Sequence, residues 1–217
     1  MEKQDELEQE AQNMVDQAAA NPIITPYDNA RWPLLEIESQ PCNFPLTSSD
    51  ISELERMDNV LTELGDEAAG LAAVQIGYPK RIFMLRRNEE NKVFINPTLI
   101  SVSNEKHTSG EACLSLPGVF ARFKRPKAVT IHFQDLDGDT HTEDFRGFWA
   151  RAVMHEMDHL NGTLIIEHIE KQQATTRRSR SFRNQEGFMY ITPDSTKAIR
   201  KRRAKNKLAR TARKRNR

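Results

Sequence analysis

The run His155-Glu156-Met157-Asp158-His159 constrains this chain more than any other feature. Residues i and i+4 of a helix share one face, so a helix here points both imidazoles at one spot. Two imidazoles at that spacing can grip a metal ion. Glu156 follows the first of them and can handle protons for a water at the ion. The pattern most often serves metal-assisted cleavage of an amide. It predicts a helix over 149–160, stopped by Asn161-Gly162.

Two histidines leave such a site incomplete. A catalytic zinc or ferrous ion normally takes a third protein ligand and keeps one position for water. Cys113, the remaining histidines, and the downstream acids Glu167 and Glu170 are the candidates. His168 also lies close behind the motif, but the spacing of a metzincin protease (H-E-x-x-H-x-x-G-x-x-H) is not present. Cys113 is the stronger candidate because of its setting in Gly110-Glu111-Ala112-Cys113-Leu114-Ser115-Leu116-Pro117-Gly118.

At this point the chain resembles the peptide deformylase family, whose motifs run G-x-G-L-A-A-x-Q, E-G-C-L-S and H-E-x-D-H. Here they read Gly70-Leu71-Ala72-Ala73-Val74-Gln75, then Glu111-Ala112-Cys113-Leu114-Ser115, then the histidine motif. The resemblance covers roughly residues 21–170 and rests on three motifs in order. It implies Cys113, His155 and His159 as ligands of one divalent metal, with Fe²⁺ ahead of Zn²⁺; a thiolate and two imidazoles suit either ion. It implies Glu156 as the proton carrier, with the Gln75 side chain and the Leu114 backbone N–H as oxyanion donors. Gly70 would orient the formyl-peptide, and Arg125 matches a basic position near the substrate. Ala69 and Glu111 join the substrate-binding set through their motifs. The implied reaction removes the formyl group from N-formyl-methionyl nascent peptides and releases formate.

Phe148 and Ala152 precede His155 by seven and three residues. They share its helix face and are candidates to border a methionine-sized apolar slot. The chain departs from the family pattern at Ala68, Ala69, Val74, Ala112 and Met154. None of these removes a ligand, the general base or the oxyanion donor. Ala68 stands where the motif usually has glycine and would be strained if that backbone needs φ > 0. Ala69 stands where a larger Val or Ile is usual and would widen the pocket. Cys42 reads as a small core residue and Arg151 as a structural ion-pair residue; His107, His132, His141 and His168 show no ligand pattern.

The rest of the chain sorts into strands and one further helix. Residues 21–48 carry Pro22, Pro26, Pro33, Pro41 and Pro45 and should be extended and looped. Ser48 or Ser49 can cap a helix starting near Asp50, with Ile51, Leu54, Leu61 and Leu64 at helical spacing and Gly65 at its end. Strands are predicted at 81–85, 93–97, 98–100, 128–133 and 164–166, and Asp137-Gly138 signals a hairpin. Residues 111–118 read as a loop or short strand. The fold class is α+β: mixed or antiparallel strands packed around a central metal-binding helix, with a basic C-terminal tail that is helical or disordered.

Charge divides the chain into three parts. Residues 1–20 form an acidic polar lead, 21–170 the catalytic domain and 171–217 a basic extension. Residues 171–217 hold 17 Lys or Arg and two acids, which leaves 15 basic and 29 acidic residues before them. Such asymmetry points to a tail that meets a polyanion, through salt-sensitive phosphate contacts. By analogy with family members that dock through a basic C-terminal helix, ribosomal RNA is the leading partner. Two cysteines, no secretory h-region and no membrane-length apolar run fit a reducing, cytoplasmic setting and a monomer without membrane contact. Two further readings stay open: a divergent, weakly active member acting as a ribosome-binding module, and another H-E-x-x-H metallopeptidase.

Overall fold

The structure, a computed structural model, describes residues 21–169. The acidic lead and the basic extension therefore lie outside the described residues. Helix α1 spans Ser48–Leu64. Its cap is Thr47, one residue before the serines expected in that role. The Thr47 hydroxyl accepts from the Asp50 N–H at 3.1 Å, and the Asp50 carboxylate accepts from the Thr47 N–H at 2.8 Å. This reciprocal box satisfies two otherwise orphaned donors, which a serine one position later cannot do. Gly65 ends the helix at φ 54.

Seven strands follow: β1 Gly70–Ala72, β2 Ile82–Arg87, β3 Glu90–Val102, β4 Lys106–Ala112, β5 Phe120–Pro126, β6 Ala128–Gln134 and β7 Thr140–Arg146. Five form an antiparallel sheet in the order β1-β2-β3-β6-β7, and β4 and β5 form a separate two-stranded ribbon. Helix α2, Gly147–Leu160, packs against the large sheet and touches the ribbon through β5. The α+β reading holds, with every paired strand antiparallel among the described residues.

Strand β2 explains how the layers divide. Alternate side chains of a strand point to opposite faces. Phe83 and Leu85 join the cluster beneath α2, with Phe94, Phe133, Phe145, Val153 and Leu160. Ile82 and Met84 join the cluster beneath α1, with Leu54, Met57, Leu61 and Ile95. The sheet is thus covered on both faces at β2, and the strand reads as an unbroken apolar run. On the α2 side Phe94 is the centre of an aromatic group, 4.7 Å from the Phe83 ring and 4.6 Å from the Phe133 ring.

Besides the helix cap, three parts of the sequence reading differ from the structure. Residues 93–97 and 98–100 belong to one long strand, broken in register where Asn96 adopts φ 50. The Asn96 side chain holds this bulge by bonding both the N–H and the C=O of Cys42, and Pro97 is tolerated there. Residues 164–166 do not form a strand: the chain is helical over 165–169 and buries Leu164, Ile165 and Ile166 against α2. The β4–β5 ribbon escaped the reading almost entirely. Strand β5 alternates, with Ala121, Phe123 and Arg125 buried between exposed Phe120, Arg122 and Lys124. A charged residue on the inward face hid the apolar period.

Candidate metal centre

Helix α2 sets two donors directly. His155 and His159 lie one turn apart and meet edge to face, with ring centroids 4.9 Å from each other. The third donor comes from the ribbon. Strand β4 ends at Ala112, and the Cys113 carbonyl accepts from the Leu116 N–H to start a tight turn. That turn brings the Cys113 Sγ to 3.3 Å from His159 Nε2, although 46 residues separate them. Ligand atoms of Cys113, His155 and His159 all lie within 4.8 Å of one another. Sulfur and nitrogen donors at about 2.3 and 2.0–2.1 Å around a tetrahedral ion are roughly 3.5 Å apart, so the spacing fits.

Cys113, the residue expected as third ligand, is thus brought beside the two imidazoles, while His168 is directed elsewhere. Its ring stacks on Phe123 and its Nε2 meets Asp158 Oδ2 at 2.7 Å. Cys42 is a buried core residue, as expected.

Behind the donors lies a buried charge cluster. Glu111, expected to touch substrate, has its carboxylate committed to three protein groups. Arg125 grips it through Nε and Nη2 at 2.6 and 2.8 Å, Arg151 through Nη1 at 2.6 Å, and His155 Nδ1 approaches Oε2 at 3.0 Å. Arg125 also pairs with Asp158 at 2.8 Å and does not line the cavity, so its expected place beside the substrate is not where the fold puts it. Burial opposes the Glu111 charge, but the Arg125 and His155 hydrogen bonds overcome it and hold the carboxyl at about 2. A fixed anion on Nδ1 leaves Nε2 of His155 for a metal and sets the ring's orientation. Although burial opposes a charge on His155 as well, the Cys113 and Glu111 partners raise its pKa well above the ordinary value. The negative field that holds a proton there is also one that favours a cation. His159 stays neutral, because burial and then the charges of His155 and Arg125 depress it.

Glu156 faces a cavity of about 570 Å³. It is only 3% exposed, and its Oε2 has no hydrogen-bond partner among the described residues. Burial lifts its carboxyl to about 7, with His155 pulling the other way. Opposite stands Gly70: a Cβ added there would lie 2.7 Å from Glu156 Oε1. The glycine is therefore required by a close approach rather than by a left-handed backbone. Ala68 likewise has φ −129, an ordinary extended conformation, so the feared strain is absent.

The cavity is lined by Ala69, Gly70, Gln75, Glu111, Cys113, Leu114, Phe148, Ala152, His155 and Glu156, ten of the twelve residues expected at the site. His159 and Arg125 sit outside that lining. Gln75 follows β1 in a short 3-10 turn, Ala73–Ile76. Its Oε1 accepts from the Ala72 N–H at 2.9 Å, and its Nε2 lies 3.2 Å from Ser115 Oγ and 3.9 Å from Cys113 Sγ. Sequence reasoning missed Ser115, Phe120 and Gly110. The Phe120 ring covers Gly110, where a Cβ would meet it at 2.0 Å, and both residues line the cavity. The only signal for that pair was their place on the ribbon that went unrecognised.

Comparison with known proteins agrees with the geometry. The family profile "Polypeptide deformylase" matches residues 1–175. A peptide deformylase of Rhodopseudomonas palustris is 39% identical over 150 residues, 64% of this chain and 86% of that protein. One of Erythrobacter litoralis is 32% identical over 182 residues, 70% of this chain and 93% of that protein. The crystal structure of a peptide deformylase from Thermotoga maritima superposes with a TM-score of 0.61 at 30% identity, covering 67% of this chain and 95% of that one.

Proposed function

This chain belongs to the peptide deformylase family and removes N-formyl groups from nascent peptides, and we propose that Cys113, His155 and His159 hold its metal while Glu156 moves the proton. One observation carries the assignment: a thiol and two imidazoles converge within 4.8 Å beside a buried carboxyl with a free oxygen. A divalent cation on these donors, Fe²⁺ in preference to Zn²⁺, would polarise the formyl oxygen and make water acidic near neutral pH. Glu156 takes the proton from the attacking water and returns it to the leaving amine. A carboxyl lifted to about 7 suits both directions of that transfer.

Gln75 Nε2 and the Leu114 N–H donate to the oxygen that gains charge as the formyl carbon becomes tetrahedral. Each such donor is worth about 2.7–4 kcal/mol of transition-state stabilisation. The formyl-peptide lies extended between Ala69-Gly70 at the sheet edge and Gly110–Ala112 on the ribbon, gaining main-chain bonds as an added strand. Its first side chain meets Phe148 and Ala152 on the exposed face of α2. Glu111 and Arg125 act from behind, by orienting His155.

Formate release from formyl-Met-Ala-Ser by anaerobically purified protein tests this reading, with metal analysis of the same sample to distinguish iron from zinc. Glu156→Ala and Cys113→Ala should both abolish turnover. Activity persisting in Glu156→Ala would overturn the proton assignment. We further propose that the basic extension binds ribosomal RNA: residues 197–217 carry 12 Lys or Arg and no acid. Truncation after Thr192 should leave activity on the short peptide intact and weaken salt-sensitive ribosome co-sedimentation. Equal co-sedimentation of the two proteins would refute it.

A further inference from the structure

We infer that Ser115 is a positioning residue: its hydroxyl and the Ala72 N–H together lock the Gln75 carboxamide with its nitrogen toward the reacting centre. The inference rests on the reading of Gln75 as an oxyanion donor. A carboxamide has one accepting oxygen and two N–H donors on nitrogen, and its terminal torsion is broad and roughly two-fold. Left alone, it presents either end to the site. Here the choice is made by two partners on opposite sides. Gln75 Oε1 accepts from the Ala72 N–H at 2.9 Å, which identifies that atom as oxygen, since two donors would otherwise face each other. Gln75 Nε2 then lies 3.2 Å from Ser115 Oγ, which accepts one of its two N–H groups. The other N–H remains on the side of Cys113, whose Sγ is 3.9 Å away.

Burial makes the arrangement decisive. Gln75 is 1% exposed, and Ala72 and Ser115 are fully buried, so water is poorly placed to replace either partner. Ser115 comes from the turn that also carries Cys113, while Ala72 belongs to β1 beside Gly70. The hydroxyl therefore ties the donor's position to the turn that bears the proposed metal ligand. Removing its oxygen leaves one buried N–H without an acceptor and frees the amide to swing toward Cys113.

The test is a double-mutant cycle on the full-length, metal-loaded protein, reading kcat and KM for formyl-Met-Ala-Ser together with metal content. Ser115→Ala should lower kcat about tenfold, equal to about 1.4 kcal/mol, with KM within about twofold and metal content unchanged. In a Gln75→Ala background the same change should alter kcat less than about twofold, because the group it orients is gone. An equal loss in both backgrounds, as a purely packing or folding role would give, overturns the inference and leaves the Gln75 assignment standing. If Gln75→Ala alone keeps full kcat, the oxyanion assignment itself fails and the inference falls with it.

Discussion

Replacing Gly70 by alanine should slow the reaction by crowding the proton carrier, even though the backbone tolerates the new residue. A Cβ at this position would lie 2.7 Å from Glu156 Oε1, 2.9 Å from Leu85 Cδ2 and 3.0 Å from the Met84 carbonyl oxygen. The leucine methyl and the carboxylate end movable side chains, but the carbonyl belongs to β2, where Met84 pairs with Leu71. Restoring ordinary contact to Glu156 takes roughly 0.5 Å of movement, by the distances at which carbon and oxygen atoms pack. Overpacking of this kind costs about 1–3 kcal/mol. For a domain of this size each kcal/mol lowers Tm by roughly 2–4 °C. A reacting group misplaced by about 1 Å loses on the order of a hundredfold, so half that shift should cost about tenfold in kcat. KM should stay within about threefold, since alanine keeps the backbone N–H offered to the peptide. Formate-release kinetics, thermal melting and metal analysis on one preparation separate these effects. Shortening the carboxylate with Glu156→Asp should relieve the clash, so Gly70→Ala should add little to Glu156→Asp. A folded, metal-loaded Gly70→Ala with unchanged kcat would refute the close approach on which the reasoning depends.

The charge cluster predicts three further outcomes. Glu111→Gln leaves Arg125 and Arg151 buried without their shared anion, and should cost about 3–5 kcal/mol in urea unfolding. Metal affinity should fall about 10–100-fold as His155 loses its orienting partner, measurable by competition with a chelator. Stability should also depend on acid in a defined window. With a folded value of about 2 against an ordinary 4.5, Glu111 contributes fully above the ordinary value and loses its contribution as pH falls toward 2. The full span corresponds to about 3 kcal/mol. Unfolding curves between pH 5 and 2 should flatten in Glu111→Gln, and an identical slope in both proteins would show that the cluster is not what titrates.

Short local motifs were more legible than the long-range pairings around them. The i, i+4 histidines need only a helix to share a face, and that is a local property of fourteen residues of α2. Gln75 and Cys113 were legible because each stands in a short motif just past the end of a strand, β1 at Ala72 and β4 at Ala112. By contrast, the pairing of Arg125 with Glu111 went unread, because a charged residue near a site looks the same whether it faces the cavity or another charge. The hairpin at Asp137-Gly138 was readable from turn chemistry, with Gly138 at φ 88. Strand β5 was not, since its inward Arg125 is stabilised by a glutamate on the neighbouring strand and no window of local sequence contains both.

Residue types and spacing along the chain thus sufficed for the helix, its two histidines and the carboxylate between them, because these depend on periodicity, while Cys113 was expected from the family resemblance. Only the tertiary structure decided which groups face each other across the site. It bound the Glu111 carboxylate to His155, placed Gly70 against Glu156, and aimed the Gln75 amide through Ala72 and Ser115. Those relations join residues from β1, β4, the turn after it and α2. They exist only once the sheet, the ribbon and the helix pack together and exclude the water that would otherwise satisfy each group alone.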